Sequence, residues 1–180
     1  GGHRNSFKHL STGPRTNKRS GFRSFQRVKI NSENIILIMS ARVVIACGGT
    51  GGHLFPGIAV AECLLEAGGD PLLIISEKEI DAIAIRNHKH LEYVSLPSIG
   101  MPKIYSPKMV SFVFRYIKSY FFCKKIIKDF GADAVLGMGG FTSLPALMAG
   151  QKMGIRTFIH ESNAYPGKAN RVASRWADIV

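Results

Sequence analysis

The sequence predicts an α/β protein, a Rossmann-like parallel sheet with helices on both faces. From residue 41 onward, apolar runs of strand length alternate with stretches of helical period. Three of the strand runs lead straight into polar or glycine-rich turns, GGTGGH, GMGGFTS and HESNAYPG. Ligands of parallel sheets gather at the carboxyl ends of the strands, so these three turns should share one edge.

The elements follow in order. ARVVIAC (41–47) is a buried-strand run, and Leu54–Ala67 has helical period with Pro56 allowed in its first turn. Gly68 and Gly69 stop that helix, and PLLIIS (71–76) is the second strand. Glu79–His88 reads as a short helix, EYVSLPS (92–98) as the third strand, and Pro107–Phe130 as a long helix closed by Gly131. ADAVLGMG (132–139), a helix from about Ser143, RTFIHE (156–161) and a helix near Lys168–Trp176 complete the series. ADIV (177–180) begins a further strand.

The net charge of +12 is unevenly placed. Residues 1–38 hold eight Lys/Arg and one acid, a balance of +7, in a polar stretch without helical or alternating period. They read as a basic tail or leader, and Met39-Ser40-Ala41 looks like a natural start ahead of a domain over 39–180. A charged tail can hold nucleic acid or lipid through charge alone, yet solvated basic arms are common, and no nucleic-acid partner is expected. No apolar run approaches the ~20 residues of a membrane span. Cys47, Cys63 and Cys123 are odd in number and widely spaced. They argue against a disulfide framework or a cysteine zinc site and for a reducing, cytoplasmic compartment.

Gly48, Gly49, Thr50, Gly51, Gly52 and His53 lie between a strand and a helix start, where exposed amides and the helix dipole favour an anion. The stretch lacks the Gly-Lys-Ser/Thr of a P-loop and matches the dinucleotide fingerprint imperfectly, since Leu54 takes the place of the third glycine. His53 is a candidate general base, because imidazole titrates near neutral pH; the competing reading is a helix cap. Gly139, Gly140, Phe141 and Thr142 form a second cradle, with Thr142 or Ser143 as its N-cap. Two cradles on one edge suit a diphosphate or a large phosphorylated ligand. His160 and Glu161 lie in the third turn as polar candidates or as structural groups, and Asn163 can both donate and accept toward a sugar or pyrimidine.

Taken together, GGTGGHLFPGIAVA (48–61), LGMGGFTSLPALMAG (136–150) and HESNAYPGKANR (160–171) closely resemble the MurG family, the bacterial N-acetylglucosaminyltransferases of peptidoglycan synthesis. The resemblance runs from about Arg42 to Val180. It implies the amino-terminal, acceptor-side domain of a two-domain, metal-independent GT-B glycosyltransferase that uses no cofactor. It implies transfer of GlcNAc from UDP-GlcNAc to the MurNAc 4-hydroxyl of lipid I (undecaprenyl-pyrophosphoryl-MurNAc-pentapeptide), with inversion, to give lipid II. By the same resemblance Thr50, Gly51, Gly52 and Asn163 contact UDP-GlcNAc, and His53 takes the place of the family's proposed catalytic histidine. Glu161, in the third turn, is the next candidate base, apart from the resemblance. Gly48, Gly49, Gly139, Gly140, Phe141 and Thr142 would cradle the acceptor diphosphate. Ser162 stands where the family usually has Gln, and Phe141 where it often has Tyr. The tail has no counterpart, and the chain reads as ending before the donor domain, so turnover by the fragment alone is not expected. A non-catalytic module holding a nucleotide or lipid phosphate is the alternative.

The long helix is rich in large apolar groups. Met109, Val113, Tyr116, Ile117 and Tyr120 form a candidate core stripe. Phe114, Phe121 and Phe122 lie off it among Lys103, Lys108, Arg115, Lys118, Lys124 and Lys125. Aromatics interleaved with cations suit an anionic membrane surface, so Phe114, Lys118, Phe121, Phe122 and Lys125 are candidate membrane contacts; an over-greasy core helix is the plainer reading. The resulting expectation is a peripheral protein on the cytoplasmic face of the bacterial inner membrane.

Overall fold

Five parallel strands lie in the order β3-β2-β1-β4-β5 in the computed structural model, which describes residues 41–97, 100, 102 and 105–180. The tail over 1–38, the start at Met39 and Lys103 lie outside the described residues. The strands are β1 (Arg42–Ala46), β2 (Asp70–Ser76), β3 (Glu92–Leu96), β4 (Ala134–Gly137) and β5 (Arg156–Ile159). The helices are α1 (Gly51–Glu66), α2 (Glu79–Ile85), α3 (Lys108–Phe130), α4 (Gly140–Lys152) and α5 (Lys168–Ala173). The chain builds outward from β1 on one side and from β4 on the other, the doubly wound order expected from alternating strands and helices. ADIV extends the series, because Ile179 bridges Phe158 in parallel at the outer edge of β5.

Period-two alternation in the strands divides the core between the two faces. Ile45, Leu73 and Ile75 point to one face, where α1 and α2 cover them with Leu54, Ile58, Ala61 and Ile85. Val44, Leu72, Ile74 and Val135 point to the other, beneath Cys123 and Ile127 of α3, Leu144 and Leu147 of α4, and Ala169 and Ala173 of α5. Each fully buried Ile or Leu contributes roughly 1.5–3 kcal/mol, so both faces need their helices. Burial pushes the Cys47 thiol up to about 12, with the Asp81 carboxylate adding to it, and pushes Cys123 up to about 12 as well. Both thiols are therefore unreactive core groups.

The starts of α1 and α4 differ from the sequence reading. Helix α1 begins at Gly51 rather than Leu54, and α4 at Gly140 rather than Ser143. Glycines disfavour a helix interior, but at a helix start their backbones are held by strand geometry, and propensity yields. Pro56 and Pro145 consequently sit one turn deeper than a first-turn proline. Neither Thr142 nor Ser143 caps α4: the N-cap is Gly139, with φ +108, and the Ser143 hydroxyl donates to the Gly140 carbonyl at 2.9 Å.

The core stripe of α3 also needs correcting. Tyr116 and Tyr120 pack against the core, but Val113 and Ile117 are each 46% exposed. The buried face runs instead through Ser119, Cys123 and Ile127. Val110, Val113, Phe114, Ile117 and Phe121 form a second apolar stripe on the opposite, solvent side, with Phe122 at its margin. The helix ends at Gly131, whose φ of +68 is the left-handed stop expected of it.

Helix α1 packs tightly at Gly57 against Cys47, the residue that follows β1: an added Cβ would lie 2.4 Å from the Cys47 Cβ. Gly57→Ala should therefore destabilise the protein by about 1–3 kcal/mol, the cost of overpacking exceeding the ~1 kcal/mol gain in helix propensity. Urea denaturation checks this; an unchanged or raised midpoint would show that the helix can move away without cost.

Candidate active site

The order in which strands are added reverses between the parallel strands β1 and β4, and a crevice at such a switch point lies outside the carboxyl ends of the two strands. The turn after β1 leads into α1, and the turn after β4 leads into α4. Both helix N-termini therefore flank the crevice. Their first amides lack acceptors within the helix and carry the positive end of its dipole.

His53 joins the two turns. Its ring lies against Gly139 and Gly140: a Cβ on Gly139 would meet the His53 Cδ2 at 2.7 Å and Nε2 at 2.8 Å, and one on Gly140 would meet Nδ1 at 3.5 Å. Only glycine permits this approach, and the positive φ of both residues requires glycine independently. On its other side the His53 Nδ1 lies 2.7 Å from the Thr50 hydroxyl, three residues earlier in the chain. Thr50 occupies the N-cap position of α1 but directs its hydroxyl to the imidazole rather than to a backbone amide. The helix-cap reading of His53 thus gives way to an imidazole oriented by the cap residue.

The glycines of the first turn have different causes. A Cβ at Gly48 would lie 2.5 Å from the Ser76 amide nitrogen, so Gly48 is required by the end of β2. Gly49 adopts φ +94, and its amide donates to the Asp81 carboxylate at 2.8 Å while its carbonyl accepts from Lys78 at 2.7 Å. That amide is engaged within the chain and is not free for a phosphate. Gly52 is the opposite case: a Cβ there would meet only the Thr50 Oγ1, at 4.0 Å. Among the described residues nothing demands glycine at this exposed helix start, which leaves room for a ligand to approach the backbone.

In the second turn Thr142 is buried, and its hydroxyl lies 3.3 Å from where a Gly49 Cβ would be. What Thr142 can offer is its backbone amide. Phe141 turns its ring edge-on to Phe112 of α3 at 6.3 Å, which explains an aromatic residue there without any ligand.

The third turn reaches the same edge. Glu161 Oε1 accepts from the Asn163 amide at 2.9 Å and its side chain at 2.8 Å; Oε2 accepts from the Gly167 amide at 2.9 Å and Asn170 at 3.1 Å. Asn170 also donates to the His160 carbonyl, and its side-chain nitrogen lies 3.4 Å from a Cβ position on Gly139. Glu161 is accordingly the clasp of this loop, and with both oxygens occupied it is poorly placed to take a substrate proton. Its burial would raise the pKa, but the hydrogen bonds from Asn163, Gly167 and Asn170 outweigh that and hold the carboxyl below its ordinary value. The His160 ring and Tyr165 are exposed.

Sequence reading missed four supporting residues. Asp81 is fully buried, and its Oδ2 accepts from the Gly49 amide, the Ser76 amide and the Ser76 hydroxyl. Lys78 and Ser76 complete that anchor, and Asn170 ties the third turn to the second. Their one available signal was position: Ser76 ends a buried strand and Lys78 follows it, at the same carboxyl edge.

The chain is similar to known proteins over most of its described residues. Residues 43–180 match the glycosyltransferase family 28 N-terminal domain. A UDP-N-acetylglucosamine–N-acetylmuramyl-(pentapeptide) pyrophosphoryl-undecaprenol N-acetylglucosamine transferase from Citrifermentans bemidjiense is 40% identical over 141 residues, 77% of this chain and 39% of the relative. The protein of the same name from Trichlorobacter lovleyi is 42% identical over 146 residues, 77% of this chain and 37% of the relative. This chain therefore spans well under half the length of these curated relatives. Among solved structures, MurG of Acinetobacter baumannii is similar with a TM-score of 0.66 and 27% identity, covering 77% of this chain and 40% of that one. The Streptomyces glycosyltransferase SsfS6, at TM-score 0.53 and 15% identity over 74% of this chain and 43% of its own, shares the fold alone.

The clasp has a pH dependence of fixed sign. A carboxyl with a lowered folded-state pKa stabilises above its unfolded value of ~4.3 and loses that contribution as pH falls through the folded value. Amide exchange protection at Asn163 and Gly167 should be steady from pH 7 to 5 and drop below that. In Glu161→Gln the acid-induced drop should be absent; its persistence would mean that another group governs the loop.

Proposed function

Because this chain belongs to glycosyltransferase family 28, we propose that it supplies the acceptor-side half of an inverting N-acetylglucosaminyltransferase. The reaction moves GlcNAc from UDP-GlcNAc to the MurNAc 4-hydroxyl of lipid I and yields lipid II. The names of the relatives suggest the substrates. The observation on this chain that carries the reading is His53, an imidazole set between two helix N-termini and oriented by Thr50.

The proton moves as follows in this proposal. With Nδ1–H donating to the Thr50 hydroxyl, the Nε2 lone pair is free to accept the acceptor's 4-hydroxyl proton. The deprotonating oxygen attacks the anomeric carbon of GlcNAc from the face opposite the leaving UDP, which inverts that centre. Negative charge on the acceptor diphosphate is met by the first amides of α4, Gly140 and Phe141, beside Gly139. Thr50, Gly51, Gly52 and Asn163 face the donor, with the open approach at Gly52 suited to close backbone contact.

The second apolar stripe of α3 fits an acceptor with a lipid tail. Helix α3 runs antiparallel to the strands, so its first turns lie at the carboxyl edge, and Phe112 ties them to Phe141 at the start of α4. Phe114 and Phe121 are 70% and 61% exposed, with Lys118 and Lys125 beside them. Lying against an anionic bilayer, this face would place the crevice near the lipid headgroups. No described helix is long and apolar enough to cross a membrane. We place the protein peripherally, on the cytoplasmic face of the bacterial cell membrane.

In a polypeptide that carries the remaining length of the relatives, His53→Ala should lower kcat by about 10²–10⁴-fold with little change in KM. His53→Asn should be nearly as damaging, since it keeps a hydrogen bond but cannot take the proton. Steady-state kinetics decide this: near-normal kcat in His53→Asn would make the histidine a positioning group. Lipid I binding without turnover in the wild-type polypeptide would favour the phosphate-binding module instead.

The membrane proposal has a separate test. The wild-type chain should float with vesicles containing phosphatidylglycerol, and Phe114→Ser/Phe121→Ser should lose most of that binding. Equal flotation of the two proteins would return the stripe to a role without lipid.

A further inference from the structure

The opposite edge of the sheet holds a cluster that glycosyl transfer does not use. Glu62 lies at the start of the fourth turn of α1, about 16 Å along the helix from its start at Gly51. Facing it is the connection from α2 to β3, which carries His88 and His90. The His88 Nδ1 lies 2.7 Å from Glu62 Oε1, and the His90 Nε2 lies 3.5 Å from the same oxygen. One ligand atom from each of the three residues lies within 4.8 Å of the other two.

We propose that Glu62, His88 and His90 form a binding site for a divalent transition-metal ion of the Zn²⁺ class. Two imidazoles and one carboxylate are a ligand set suited to that class, and three protein ligands leave a fourth, tetrahedral position for water. Ligand atoms held ~2.0–2.2 Å from a tetrahedral ion stand about 3.3 Å apart. The His90 to Glu62 separation already matches that spacing, and the His88 pair would have to open by about half an ångström. The two rings stand at 60° to each other with centroids 6.2 Å apart, so they converge without stacking.

The connection is held in place before any ion arrives. Its ends are fixed by the buried side chains of Ile85 and Leu91, and its backbone is closed by His88 N–H to the Ile85 carbonyl and Leu91 N–H to the His88 carbonyl. Among the described residues the three ligand atoms share one hydrogen bond, between His88 and Glu62, and the His90 Nε2 makes none. An ion would satisfy all three and fasten α1 to the entry of β3. Its distance from His53 makes it a brace, with no part in the transfer reaction.

Titration of the full 180-residue chain with ZnCl₂ in a calorimeter should give a site of one equivalent. The primary variant is His90→Ala, because that side chain is 55% exposed and its loss does not disturb the core. It should bind Zn²⁺ at least tenfold more weakly, and His88→Ala/His90→Ala should lose the site altogether. Zn²⁺ should raise the thermal midpoint of the wild type and leave that of the double variant unmoved. Co²⁺ should give tetrahedral visible absorption bands in the wild type alone. His3, His9, His53 and His160 are present in every variant, so the differences isolate this cluster. Wild-type affinity in His90→Ala, or no stoichiometric site in the wild type, would overturn the proposal.

Discussion

The contact between the His53 ring and the side-chain-free surface of Gly139 and Gly140 governs the geometry of the whole carboxyl edge. It sets the separation of the α1 and α4 N-termini, because the imidazole is the spacer between them. Any side chain at Gly139 would strike the ring and would also have to adopt φ +108. The positive helix ends can therefore approach one crevice only because two glycines and one flat ring meet there. Asn170, which also lies beside Gly139, extends the same contact to the third turn.

Behind that contact lies a buried anchor. Asp81 and Lys78 hold the two ends of the Gly49 peptide unit, one accepting from its N–H and the other donating to its carbonyl. A buried carboxylate is costly unless its oxygens are hydrogen-bonded; here three donors meet Oδ2, while Oδ1 is buried without a partner among the described residues. The arrangement ties the first turn to the end of β2. Glycine flexibility in the sequence thus gives rise to a fixed loop, since the freedom of Gly49 is removed by partners from another element.

The fold was legible because its strands alternate with helices and punctuate with glycine, and both signals are local. Every strand run predicted from the sequence pairs in the sheet, and Gly131 ends α3 as expected. The convergence of the three turns was legible from their placement after strands. Less legible were the starts of α1 and α4, where glycine propensity argued for loops and tertiary geometry imposed helix. Asp81 escaped notice because, beside Glu79, it looks like one of two solvated acids in the first turn of a short helix; only the packing of α2 buries it. The burial of α3 was misread for a related reason. Apolar residues surround that helix on two sides, so period alone could not say which side faces inward.

What selects the inward side of α3 is bulk. Ser119 and Cys123 are small residues in the middle of the helix, and both lie on its buried face, whereas Ser111, near its start, is exposed. They let the axis settle close to the sheet, while Tyr116 and Tyr120 fill the flanks. The other side presents Phe114, Ile117 and Phe121, which would hold the helix away from the strands and open voids beneath it. The more hydrophobic side is thus the excluded one. Orientation here is decided by fit, as a key is admitted by its notches and not by the metal it is cut from. A substitution that enlarges Ser119 would erase the distinction between the two sides and leave the helix with two competing ways to lie on the same sheet.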